Sequence, residues 1–386
     1  MCRKSKLFVL LVVAGLITGL CGGQCFAAKS APAAPYVVGA IFSMTGDNAP
    51  LGVPEKLTTE MLAKQINAAG GIGGHPLKVL LFDDAGKPEQ AVQACQNLLA
   101  DKSVVAIIGP TLTGPSLAIA TMCQSAGMPL VSCAASVKIV QPTRSYVFKT
   151  AQSDSMAVAK ITAYLTNRKI KTVGFIYDSN AFGSSGRDQW KKLATGAGIK
   201  TVALESFATA DTDMTGQLTK IRGANPQAVV CWGTNPGPAM VAKDMKKLGM
   251  TIPLLMSHGI ANMEFITLAQ SAAEGVVFPA GKLLVPDAAS GPQKAVLKKY
   301  AADYQKFSGK SPNTFGGHAW DALMLVKGAI AKAGPDRAKI RAAIENTKGF
   351  AGVSGVFNMS PTDHNGLTKD AFAMVVIKGG KWTVAK

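Results

Sequence analysis

The sequence predicts an α/β fold of two lobes, each a parallel sheet with helices on both faces. Three observations carry this. Apolar β-branched runs alternate with amphipathic stretches, one strand-helix-strand pattern occurs twice, and about 358 residues remain after an export leader, enough for two cores.

Strands are expected at 36–42, 77–82, 104–108, 129–132, 172–177, 201–206, 228–232 and 253–256. Helices are expected between them at 53–69, 88–100, 115–126, 155–168, 184–197, 213–223 and 237–248. Alternation of this kind makes parallel strands with helical crossovers. Gly70 and Gly71 end the first helix, where a left-handed cap favours glycine.

AIIGPTLTGPSLAIATMCQSAGMPLVS (106–132) and VVCWGTNPGPAMVAKDMKKLGMTIPLLMS (229–257) share one grammar. Each runs strand, Gly, Thr-containing turn, Gly-Pro, helix, Gly-Met, Pro-led strand, Ser. Pro115 and Pro238 fall in the first helical turn, where a missing N–H costs nothing. Gly109 and Gly114 have the spacing of a phosphate-binding loop, but Pro115 stands where that loop needs Lys.

In doubly wound sheets, ligands sit beyond the carboxyl ends of the strands, near helix N-termini. Here those places are 111–116, 134–136, 179–182, 234–235 and 257–259. A helix N-terminus attracts an anion without a Lys, so the turn at 109–116 suits a carboxylate.

The leader is residues 1–28. Arg3, Lys4 and Lys6 precede an apolar run from Leu7 to Leu20, and Ala27 and Ala28 follow as a cleavage site. Thr18-Gly19-Leu20 before Cys21 fits a lipid-attachment box poorly. Removing three cations and no acids lowers the net charge from +18 to +15. The dispersed Lys residues and the leader argue against nucleic acid as a partner. Four of the seven cysteines remain: Cys95, Cys123, Cys133 and Cys231. An even count outside the cytosol permits disulfides, with connectivity open, and no C-x-x-C pair marks a zinc or thioredoxin-like site.

Catalytic signatures are absent: no G-x-S-x-G, no H-E-x-x-H, and four scattered His residues. Asp83-Asp84 reads as a turn and cap, the 315–320 stretch as a packed helix start, and 363–366 as a tight turn. No enzyme, metal site or cofactor is expected.

GAIFSMTGDNAPLG, INAAGGIGGHPLKVLLFDDAGKPEQAV, VVAIIGPTLTGPS, PLVSCAAS and FKTAQSD, then DTDMTGQLTKIR, AEGVV and GGHAWDALMLV, form an ordered set. Over about 36–386 the chain resembles the periplasmic leucine/isoleucine/valine-type binding proteins. The resemblance implies a type I periplasmic binding-protein fold, with two lobes joined by three crossovers near 149–152, 279–282 and 354–358. Lobe 1 would be 36–150 plus 281–355, and lobe 2 151–280 plus 356–386. It implies a periplasmic monomer that captures a small carboxylate or amino-acid ligand between the lobes. It implies delivery to the membrane subunits of an ABC importer.

By the same resemblance, the family's carboxylate-binding Ser corresponds to Thr113. Groups flanking the ligand's head correspond to Ala134 and Ser136, and a second-lobe aromatic to Phe182. Three positions depart from the pattern. Two Tyr residues correspond to Leu51 and Thr234, and the Glu that pairs with the ligand's ammonium corresponds to His258. A buried ammonium needs an acceptor, preferably charged. Neutral imidazole offers one acceptor and imidazolium none. The expected ligand is therefore a carboxylate without an ammonium, aliphatic or aromatic. Two alternatives stay open: a ligand-sensing module for a membrane receptor, and a secreted hydrolase on the same fold.

Overall fold

A computed structural model of the chain describes residues 33–385. The leader read at 1–28 lies outside the described residues. Among these, no helix is long and apolar enough to cross a membrane.

The first sheet collects β1 (Tyr36–Phe42), β2 (Leu77–Asp83), β3 (Val104–Ile108), β4 (Leu130–Ser132) and β5 (Val147–Lys149). All are parallel, in the order β2-β1-β3-β4-β5. They are joined by α1 (Ala49–Ala68), α2 (Pro88–Ala100) and α3 (Thr113–Ser125). Side chains alternate across a strand. On β1, accordingly, Val38, Ala40 and Phe42 enter one apolar cluster while Val37 and Ile41 enter another. The sheet is covered on both faces for that reason.

The chain then crosses to a second sheet through α4 (Asp154–Asn167), β6 (Thr172–Asp178), α5 (Ala181–Ala194) and β7 (Lys200–Phe207). It continues through α6 (Thr215–Gly223), β8 (Ala228–Trp232), α7 (Gly237–Lys247), β9 (Leu254–Met256), α8 (Met263–Ala269) and β10 (Val277–Gly281). It returns with α9 (Gly291–Ser308), α10 (Thr314–Ala333) and α11 (Arg337–Glu345). Their residues Leu297, Leu323 and Ile340 pack in the first sheet's cluster. A hairpin of β11 (Phe350–Ala351) and β12 (Val356–Phe357) follows. Then β13 (Phe372–Lys378) and β14 (Lys381–Val384) close the second sheet, in the order β14-β13-β10-β9-β8-β6-β7. Strands β7, β6, β8, β9 and β10 are parallel, while β13 runs antiparallel to both β10 and β14.

The repeated segments fold alike. β3-α3-β4 and β8-α7-β9 are both helix-linked neighbours in parallel register. The eight expected strands all form, but β5 and the five strands from β10 to β14 were not expected. β5 is three residues long, and Pro279 within β10 lacks a ladder donor and reads as a break. The last passage between sheets also differs from the expected 354–358. Phe357, Met359, Leu367 and Ala371 pack with the first sheet, whereas Phe372 packs with the second. Residues 356–371 therefore stay with the first core.

Helix starts move by at most four residues. α5 begins at Ala181 rather than 184, because the Asn180 side chain accepts the Gly183 N–H at 2.9 Å and caps it. That shift puts Phe182 in the first turn.

Candidate functional site

One cavity of about 250 Å³ lies between the carboxyl ends of the two sheets' strands. The glycine-rich turn after β3 forms part of its wall. Gly109 has φ +84°, and a Cβ there would lie 2.0 Å from the Ile41 carbonyl oxygen. Glycine is what lets β3 turn away against β1. The turn thus serves close packing and launches α3 at the cavity.

α3 has no side-chain cap, and its first-turn residues Thr113 and Gly114 line the cavity. Across from them, Ala181 and Phe182 in the first turn of α5 line it as well. Two helix N-termini therefore converge on one space, each with N–H groups and a positive dipole end. This favours an anion. Among the described lining residues there is no Asp, Glu, Lys or Arg.

His258 enters from the turn after β9. The Ser257 hydroxyl accepts the Gly259 N–H and donates to the Gly233 carbonyl at 2.9 Å, which fixes that turn. The imidazole is held among rings, with centroids 5.5 Å from Phe182, 6.1 Å from Trp232 and 5.2 Å from Phe372. Both ring nitrogens are buried without a hydrogen-bond partner among the described residues. Burial, with His318 and Lys149 nearby, pushes its pKa down to about 3. His318 also lines the cavity, and burial with the Lys149 charge brings it to about 3. Its Nδ1 lies 2.8 Å from the Ser354 hydroxyl. Both imidazoles are neutral at physiological pH.

Behind Thr111 on the first-sheet side runs a buried chain of polar groups. The Ser43 N–H donates to the Thr111 hydroxyl at 3.0 Å, and the Ser43 hydroxyl donates to Asp84 at 2.7 Å. The Thr111 hydroxyl in turn donates to Glu55. Burial raises the pKa of Glu55 well above the usual carboxylate range, and Asp84 is raised for the same reason. Thr111 lines the cavity but spends its hydroxyl on Glu55. Other buried side-chain atoms lack a hydrogen-bond partner among the described residues. Besides His258 they are Glu55 Oε1, Asp84 Oδ2, Trp232 Nε1, Asn235 Oδ1 and Asn262 Nδ2.

The first passage between the sheets is laced to neighbouring first-core segments beside the cavity. The Asn365 amide donates to the carbonyls of Lys149 and Ala151 at 3.2 and 3.0 Å, and its oxygen accepts the Ser153 hydroxyl at 3.0 Å. Gln152 donates to the Ser354 carbonyl at 2.7 Å. Asp321 accepts the N–H groups of Val353 and Ser354 at 2.6 and 2.7 Å. The turn read at 363–366 is thus a brace for the first passage between the sheets.

Six of the seven residues singled out from the sequence line the cavity: Leu51, Thr113, Ala134, Phe182, Thr234 and His258. Ser136 does not. Its hydroxyl lies 2.6 Å from that of Ser185 and accepts the Lys138 N–H at 3.1 Å, so it joins the two halves beside the cavity instead. Thr111, within the strand-end turn expected at 111–116, lines the cavity too, while sequence reasoning missed Gln152, Phe315, His318 and Phe372, all in the wall. Phe315 and His318 lie in the first turns of α10, capped by Asn313, whose side chain accepts the Gly316 N–H at 3.1 Å. That Asn cap was the available signal.

A family model described as "Periplasmic binding protein" matches residues 35–381. The chain is 27% identical to a Leu/Ile/Val-binding protein homolog of Brucella melitensis, over 86% of this chain and 89% of the other. It is 26% identical to a leucine-, isoleucine-, valine-, threonine- and alanine-binding protein of Pseudomonas aeruginosa, over 86% and 85%. Among solved structures, an extracellular ligand-binding receptor from Rhodopseudomonas palustris superposes with a TM-score of 0.86 at 30% identity, covering 91% of this chain and 100% of that one. A leucine-binding protein from Thermotoga maritima gives 0.81 at 26%, covering 91% and 97%.

Proposed function

The chain belongs to the periplasmic binding protein family, whose members bind ligands and are not enzymes, and we propose that it is the solute-binding component of an ABC importer. Its two sheets with their helices are the two lobes, 36–150 with 281–371 and 151–280 with 372–385. A small carboxylate-bearing ligand is captured between them, hinge motion closes the lobes, and the closed form engages the membrane subunits. Ligand favours closure by its differential affinity for that state.

The observation that carries the reading is the cavity itself. Two helix N-termini face an uncharged space whose lining offers no carboxylate to an ammonium. The ligand is a carboxylate without an α-amino group, aliphatic or aromatic. Its head lies at Thr113 and Ala134, with Phe182, Thr234, Leu51 and His258 enclosing the rest.

A thermal-shift panel tests this. Ligand at 100 times its dissociation constant stabilises the fold by about 2.7 kcal/mol. Benzoate or short-chain acids are expected to raise the melting temperature more than leucine, isoleucine, valine or phenylalanine. His258→Glu restores a charged acceptor, of the type worth roughly 1.5–3 kcal/mol, and should shift the preference toward amino acids by roughly 10- to 100-fold. Micromolar or tighter binding of leucine to the wild-type protein would defeat the ligand reading and leave the transport reading standing.

Thr113→Ala is expected to weaken binding of the carboxylate ligand by about 1–2 kcal/mol, the value of one hydrogen bond. Titration calorimetry measures it, and unchanged affinity would remove Thr113 from the grip.

A further inference from the structure

The four cysteines of the described residues are all buried, but they are not equivalent. Cys133 lies in the first sheet's cluster with α1 and α10, and Cys231 is within β8 of the second sheet. Neither has a thiol beside it among the described residues. Cys95 and Cys123 do. Cys95 lies on α2 and Cys123 on α3, in one apolar cluster, with their sulfurs 3.7 Å apart.

We propose that Cys95 and Cys123 are a disulfide site, oxidised when the chain folds outside the cytosol. Each sulfur is already in van der Waals contact with the other, and neither touches a third thiol. Side-chain rotation that brings them to about 2 Å makes the bond. The chemistry balances as follows. One thiol loses its proton, and its thiolate attacks the disulfide of a dithiol oxidase. The second thiolate then displaces the oxidase from the mixed disulfide. Two protons and two electrons leave the cysteines, and the oxidase disulfide becomes two thiols. Both cysteines are fully buried in the fold, so this exchange belongs to the period before α2 and α3 pack. A family of periplasmic proteins meets such oxidants there.

The bond has a place in the site's architecture. α2 begins at Pro88 and α3 at Thr113, and both residues line the cavity. A bridge between the bodies of these helices fixes the spacing of two first-turn elements of the cavity wall. The inference stands apart from the ligand's identity, since it rests on the sulfur pair alone.

Thiol counting tests it. Protein purified from the periplasm is denatured in iodoacetamide, with and without prior reduction. Two labels are expected without reductant, on Cys133 and Cys231, and four after reduction. Trypsin leaves Cys123 and Cys133 on one peptide, 103–138. Fragmentation of the cross-linked peptide must therefore place the bond on Cys123, joined to Cys95. Four labels without reduction, or a bond at Cys133 or Cys231, would overturn the proposal.

Discussion

Trp232→Ala is expected to lower the unfolding free energy by about 3–5 kcal/mol, the usual cost of deleting a large buried aromatic. Trp232 ends β8 with no exposure. Its ring lies 6.5 Å from Phe175, 5.9 Å from Phe182 and 6.1 Å from His258. α5 packs flush on it: a Cβ at Gly186 would come within 2.1 Å of the indole nitrogen. Nothing larger than glycine fits there. Removing the indole leaves a void beneath the first turns of α5 and behind His258, so two walls of the cavity lose their backing. Urea denaturation of wild type and variant measures the loss. A difference below about 1 kcal/mol would mean that α5 collapses onto β8 and fills the space.

This residue also marks how far the sequence could be read. The run Ala228–Trp232 is apolar throughout and buried throughout, as a central parallel strand must be, and was legible as a strand. What the run cannot tell is which helix rests on the indole. That is set by a glycine 46 positions earlier in the chain, on α5. The same limit appears at Ser136. Its place beside a strand end, in a small-residue turn, is right for a ligand contact. Its hydroxyl is instead drawn to Ser185, which comes from the other sheet's first helix after β6. Only tertiary packing decides between those outcomes.

Up to residue 256 the elements with one strong local pattern were read, whereas β5 and, apart from a helix start at 315–320, everything from α8 to β14 were not expected. β5 is three residues long and β10 carries Pro279, so neither announces itself locally. Both exist because neighbouring strands offer them a ladder. His318 was passed over because a histidine on an apolar helix face reads as core. It is indeed buried, at 4% exposure, yet the burial is in the cavity wall. His258 was placed by its strand-end position at 257–259 and given a role by resemblance to related chains. Its surroundings explain the position physically: three aromatic rings hold the imidazole and leave both nitrogens unpartnered.

Those surroundings set the second large effect, which is on acid stability. An imidazole in the unfolded chain titrates near 6.5, whereas His258 and His318 in the fold are depressed to about 3. Below 6.5 the unfolded chain takes up protons that the folded chain refuses. The contribution is fully present above pH 6.5 and is lost as pH falls through 6.5 toward 3. At one pKa unit per 1.36 kcal/mol, each histidine accounts for a loss of about 2 kcal/mol at pH 5. Buried carboxyls oppose this. Asp321, raised to about 7, and Asp154, Glu55, Asp84 and Asp178, all raised by burial, recover stability as pH falls through their own shifted values. The net curve therefore mixes signs, and a variant is needed to isolate the imidazole. Between pH 7 and pH 5 the wild-type protein is expected to lose about 2 kcal/mol more than His258→Gln, measured by chemical denaturation at each pH. The carboxyls are common to both proteins and cancel in the difference. Parallel curves would mean that His258 takes its proton while folded, and then an uncharged cavity is no longer a property of the site. A steeper fall in the wild type ties the neutrality of that cavity wall to His258 itself.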